Sequence, residues 1–170
     1  CDDFSLTLAR LIRSLWCDVQ VIDYTASHHP RQEDIMILGG GPGDINDDSS
    51  EKMRTLQEIL KSRENTPVLG ICLWSQAICK HLWLEVRKLS KAQQWVQNTI
   101  KLFGKDEKMG QYNSYAAFGK IPWCRPKRNQ DKSINMIHAQ EQKMLGVQFH
   151  PESVMTQNGR EILKSLLLDR

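Results

Sequence analysis

The sequence predicts an α/β domain: an open, mainly parallel sheet with helices on both faces. Two wholly apolar runs, residues 35–38 and 67–71, are too short for helices and read as buried parallel strands. Segments of helical period lie between and after them, and strands alternating with helices produce a parallel sheet. The run at residues 35–38 discharges into Gly39-Gly40-Gly41-Pro42-Gly43, and Cys72 falls at the junction between the second run and a helix.

Taken in order, Phe4, Leu8, Leu11, Ile12 and Leu15 repeat at helical spacing, and residues 17–23 alternate as a strand. Met53, Leu56, Ile59 and Leu60 mark the inner face of a second helix, and residues 73–82 have the composition of a third. Strand-like stretches follow at residues 85–89 and 96–103. Residues 133–138 and 144–149 form an expected strand pair around a turn at 140–143. Ile162, Leu163, Leu166 and Leu167 face inward from a closing helix at residues 158–168.

The 170 residues suit one domain with a real core, and at 40% apolar and 25% charged they fall in the ordinary soluble range. No apolar run approaches the roughly 20 residues that span a bilayer, so no membrane partner is expected. A net charge of +3 is spread along the chain, and the basic stretch Arg125-Pro126-Lys127-Arg128 reads as a solvated loop, so no nucleic-acid partner is assigned. The five cysteines are odd in number, irregularly spaced and without a C-x-x-C pair. That usage points to a reducing, cytoplasmic location and to no metal site. The chain starts without methionine, consistent with a trimmed N-terminus or a fragment.

A cysteine in a tight turn between a buried strand and a helix projects its sulfur at the sheet's C-terminal edge, near a helix N-terminus that favours the thiolate. Cys72 on its local sequence alone is equally compatible with a small buried hydrophobe. In Gln148-Phe149-His150-Pro151-Glu152-Ser153, His150 follows an apolar strand and Glu152 comes two residues later. Both side chains can thus emerge at one end of the sheet as a base and its orienter. Alone, a His-Pro-Glu string is more often a surface turn. Beside a cysteine elbow and a glycine loop it reads as catalytic. Gly39 to Gly43 lack the spacing of a P-loop or a dinucleotide fold, which favours an oxyanion over a nucleotide.

Three strings, Gly39-Gly40-Gly41-Pro42-Gly43-Asp44, Gly70-Ile71-Cys72-Leu73-Trp74-Ser75-Gln76 and Gly146-Val147-Gln148-Phe149-His150-Pro151-Glu152-Ser153, resemble in order and spacing the signatures of class I glutamine amidotransferases. That resemblance implies a flavodoxin-like fold over residues 1–170, with the first strand missing and the chain a C-terminal part of a larger fused synthase. Residues 94–118, with Gly110-Gln111-Tyr112-Asn113-Ser114-Tyr115, resemble the phenazine-pathway 2-amino-2-desoxyisochorismate synthase and anthranilate synthase component II branch. The resemblance further implies Cys72 as nucleophile, His150 as general base and acid, and Glu152 as its orienter. It places the oxyanion hole at the amides of Gly41 and Leu73, and L-glutamine against Gly41, Pro42, Gly43, Gln76, Ser114 and Tyr115. Freed ammonia would pass to a chorismate-binding synthase domain or subunit. No cofactor is implied in this domain, magnesium being expected in that partner.

The sequence departs from the family at the elbow, where Trp74 replaces a glycine or serine and Ser75 a histidine. An indole beside a strained turn threatens the oxyanion hole or the glutamine site. Trp16, Trp83 and Trp95 also stand where relatives carry glycine, a pattern expected of a drifting gene copy or a sequence error. Two alternatives stand beside a glutaminase serving a chorismate-using synthase: a catalytically impaired domain kept for structure or regulation, which Trp74 motivates, and an amidotransferase serving a different acceptor.

Overall fold

A computed structural model describes residues 3–23, 34–63 and 65–168. Its elements are α1 (Asp3–Arg13), β1 (Met36–Leu38), α2 (Glu51–Ser62), β2 (Val68–Ile71), α3 (Leu73–His81), β3 (Glu85–Leu102), β4 (Lys105–Phe118), β5 (Lys127–Arg128), β6 (Ile134–Ala139), β7 (Met144–Val147) and α4 (Gly159–Leu168). A five-stranded sheet runs in the order β1-β2-β7-β6-β5, and β3 and β4 form a separate two-stranded sheet. β1, β2 and β7 are parallel. β6 and β5 extend the sheet antiparallel, because the short turn before β7 can join only antiparallel neighbours.

The α/β expectation with helices on both faces is borne out, and the pleat of two central strands explains it. Side chains alternate across β2 and β7, both buried throughout. Val68 and Met144 join α2 and α3 residues such as Leu56, Ile59 and Ile78 in one core. Leu69, Ile71, Leu145 and Val147 join Leu8, Ile12, Ile162 and Leu163 of α1 and α4 in the other. Gly70 and Gly146 lie beneath α3. A Cβ on Gly70 would come within 2.9 Å of the Trp74 backbone, and one on Gly146 within 2.8 Å of Ser75 Oγ. Two glycines side by side thus let α3 settle directly on the strands.

Four expectations are corrected. Residues 17–23 carry no strand, although Cys17 and Val19 do pack against the α1/α4 core. Alternation selects which side chains turn inward but supplies no hydrogen-bonded neighbour. β1 is half-buried rather than buried, because it is the end strand of the sheet among the described residues. The two strand-like stretches after residue 85 are parts of one 18-residue strand paired with the 14-residue β4. Finally, Lys127 and Arg128 are not simply loop: they pair with β6, and the Arg128 guanidinium donates to the carbonyls of Lys132 and Gly119.

Candidate active site

Cys72 is the single residue between β2 and α3, at the N-cap position of the helix. Its amide donates to the Val147 carbonyl at 2.8 Å, continuing the ladder, while its carbonyl already accepts from the Gln76 amide at 3.2 Å. Changing from strand to helix within one residue forces φ 54° and ψ −108°, a conformation that disfavours any residue with a Cβ. The strain holds the sulfur at the C-terminal edge of the sheet, at the mouth of α3.

His150 and Glu152 reach the same edge from β7. His150 Nδ1 lies 2.7 Å from Glu152 Oε1, with both side chains almost fully buried. Nδ1 is therefore committed to Glu152, and the other ring nitrogen is left for Cys72, with which His150 also hydrogen-bonds. Burial pushes the imidazole toward its neutral form. The hydrogen bonds and charges of Cys72 and Glu152 outweigh it and raise the pKa to about 10. The second oxygen, Glu152 Oε2, is buried and accepts no hydrogen bond from the described residues.

Three elements close around this pair. The glycine loop passes so near that a Cβ on Gly40 would sit 2.6 Å from His150 Cε1 and 3.4 Å from Cys72 Cβ. β4 holds the loop after β7: the His150 amide donates to the Gly110 carbonyl at 3.0 Å, and Thr156 Oγ1 accepts from the Gly110 amide at 2.9 Å while donating to the His150 carbonyl at 2.5 Å. Phe4 and Tyr112 pack together against the imidazole, with ring centroids 4.9 and 5.2 Å from it and 5.5 Å from each other, Tyr112 edge-on. The Tyr112 hydroxyl is 2.6 Å from Ser153 Oγ, which ties β4 to the same loop again.

A pocket of about 430 Å³ opens over Cys72. It brings together Gly41, Pro42, Gly43, Cys72, Leu73, Gln76, Ser114, Tyr115 and His150; Glu152 stands behind the histidine, outside the lining. The volume is that of a small-molecule site. Phe4, Gln94, Tyr112 and Asn113 also line it, and none of these was marked as a site residue by sequence. Their signal was faint, since each depends on a fold that sets α1 and the hairpin over the sheet edge. The Tyr115 carbonyl is already taken by Gln76 Nε2 and Asn113 Nδ2, each at 2.8 Å. Tyr115 also hydrogen-bonds Asp44, which with burial raises its phenol pKa.

Trp74 does not intrude. Its side chain is buried in the α2/α3 core, and it is absent from the pocket lining. Of the other cysteines, Cys79 is buried and its thiol is pushed up to about 12, and burial likewise raises Cys124. Among the described residues no group of three or more His, Cys, Asp or Glu is placed to hold a metal, and no helix is long and apolar enough to cross a membrane.

The chain is similar to known proteins over most of its length. The chain is 29% identical to a phenazine-specific anthranilate synthase of Pseudomonas chlororaphis, over 98% of this chain and 28% of that protein. It therefore spans under a third of that relative's length. Anthranilate synthase component 2 of Helicobacter pylori is 28% identical over 76% of this chain and 69% of its own. A GMP synthase of Wolbachia pipientis is 28% identical over 96% of this chain and 35% of its own. Among solved structures, a glutamine amidotransferase of Thermotoga maritima superposes with a TM-score of 0.68 at 18% identity, over 86% of this chain and 70% of its own. A Thermoplasma acidophilum protein described as a GMP synthase component superposes with a TM-score of 0.82, also at 18% identity, over 98% of this chain and 87% of its own. The model of glutamine amidotransferase class-I matches residues 1–169, and the chain belongs to that family.

Proposed function

We propose that this domain hydrolyses L-glutamine through Cys72, His150 and Glu152 and supplies the ammonia to a chorismate-using synthase. The observation that carries the reading is the buried 2.7 Å bond between His150 and Glu152, with the same imidazole bonded to a cysteine on a strained elbow at a pocket. Cys72 Sγ attacks the side-chain amide carbon, forming a tetrahedral oxyanion. The amides of Gly41 and Leu73 stabilise that charge. His150 passes its proton to the departing nitrogen as the C–N bond breaks, leaving a γ-glutamyl thioester and ammonia. Water, deprotonated by the same imidazole, then cleaves the thioester to glutamate and free Cys72. Glu152 keeps the ring oriented throughout. Gln76 and the backbone of Ser114 and Tyr115 hold the glutamine, with Pro42 and Gly43 shaping the loop beside it. No step is routed through a metal in this domain.

The acceptor is assigned to the anthranilate or 2-amino-2-desoxyisochorismate type because phenazine-specific anthranilate synthases align along 98% of the chain. In this reading residues 1–170 are the amidotransferase part of a larger synthase, working in the cytoplasm. A second acceptor, the substrate of a GMP synthase, is supported by the 28% identity over 96% of the chain. Ammonia release from glutamine tests the central claim, measured with a chorismate-using synthase present. The unmutated protein should exceed Cys72→Ala by about a thousandfold. Equal rates overturn the glutaminase reading, and release without amination of chorismate overturns the acceptor.

A further inference from the structure

Gln148 has no role in the mechanism above, yet it is 1% exposed and in contact with its nucleophile. Gln148 Nε2 lies 3.7 Å from Cys72 Sγ, within range of an N–H···S hydrogen bond, and Gln148 Oε1 accepts from Gln76 Nε2 at 3.0 Å. The direction of this chain is fixed at its far end. Gln76 Nε2 also reaches the Tyr115 carbonyl at 2.8 Å, which can only accept. The amino group of Gln76 must therefore be the end that faces both partners, so Gln148 presents its oxygen to Gln76 and its N–H to the sulfur.

We propose that Gln148 is a positioning residue whose side-chain amide, locked by Gln76 and the Tyr115 carbonyl, donates to Cys72 Sγ and holds it as the thiolate facing His150. The sulfur then has a donor on each side, the imidazole and the amide. A hydrogen bond to the charged form favours that form, and exposures of only 1% and 3% for Gln148 and Gln76 keep water from replacing either bond. The same chain uses both N–H groups of Gln76 internally, which leaves its oxygen for a substrate ammonium group.

The test follows alkylation of Cys72 by iodoacetamide against pH, read on the Cys72 peptide. It needs no turnover, so it can fail or succeed independently of the glutaminase reading on which the proposal's kinetic consequence rests. Gln148→Met should raise the midpoint by about one pH unit and Gln148→Glu by more, since a carboxylate would repel the thiolate. With glutamine, kcat/KM at neutral pH should fall roughly tenfold in Gln148→Met, and KM should rise as Gln76 is released. A purely structural role would lower the melting temperature and leave the alkylation midpoint unchanged. In the unmutated protein, the Gln148 side-chain amide resonance should move as Cys72 is alkylated. Wild-type midpoints in both folded variants, or an unmoved amide resonance, overturn the proposal.

Trp16, Trp83 and Trp95 have φ of 65°, 63° and 57°, a region that admits glycine freely and penalises a Cβ. The indoles of Trp16 and Trp83 are each 96% exposed, so packing offsets none of the strain there. We infer that the natural residue at these three positions is glycine. A TGA codon, which some genetic codes read as tryptophan and others as glycine, accounts for all three at once. Trp74, helical and buried, lies outside this inference. The gene should carry TGA or a glycine codon at all three positions, and TGG there overturns the inference. The variant Trp16→Gly/Trp83→Gly/Trp95→Gly should melt several degrees higher, and an unchanged or lower melting point counts against it.

Discussion

At His150, burial and charge oppose each other, and the outcome makes the fold sensitive to alkali. The folded pKa is raised to about 10 against an ordinary 6.5. Below about 6.5 both folded and unfolded chains hold the proton, and the stabilisation from this group is complete. As pH rises the unfolded chain releases its proton first, and the contribution is lost as pH passes about 10. Urea midpoints should therefore fall between those limits, and His150→Gln should show a smaller fall. Glu152→Gln tests the neighbouring bond: shape is kept, but an amide can present its NH2 to Nδ1 and favour the wrong tautomer. Glutaminase kcat should drop by about a hundredfold or more. That Cys72, His150 and Glu152 converge at one edge of the sheet was legible in the sequence, because each lies beside the end of a short apolar strand. Phe4 and Tyr112 were not, since an aromatic ring at helical or strand spacing looks like any other core residue until the fold brings it to the imidazole.

Among the elements, the strand-elbow-helix unit of β2, Cys72 and α3 was readable because its signals are local: an apolar run, a junction, a helix. The β3/β4 hairpin was only half readable. Most of β3 is solvated, and its register shifts between Lys88 and Gln93 and again between Gln94 and Val96, which breaks the two-residue period a strand assignment needs. Yet this hairpin fixes the histidine loop. Thr156 Oγ1 satisfies a β4 amide and the His150 carbonyl at once, inside a buried environment. Thr156→Val keeps the volume and strands both groups, so it should cost about 2–3 kcal/mol by urea unfolding. It should also lower glutaminase kcat, because His150 loses one of the bonds holding its backbone. Unchanged kcat with full loss of stability would show that the loop is held by Gly110 and Tyr112 without it.

On the scale of the whole molecule, one sheet separates two cores with different duties. The α2/α3 core seats α3 on the strands through the glycine contacts at Trp74 and Ser75, while Cys72 itself packs in the α1/α4 core. On the opposite face, α1 supplies Phe4 to the imidazole, while α4 lines none of the pocket. Damage confined to α4 should consequently reach stability before it reaches chemistry. Leu163 is fully buried there, so Leu163→Ala removes its packing and leaves a cavity, at a cost of about 2–5 kcal/mol. Urea unfolding should register that loss, while glutaminase activity per folded molecule, assayed well below the melting range, should stay within about twofold. A large fall in kcat would instead mean that the α1/α4 layer sets the position of His150 through Phe4, and that the two cores act on the site as one.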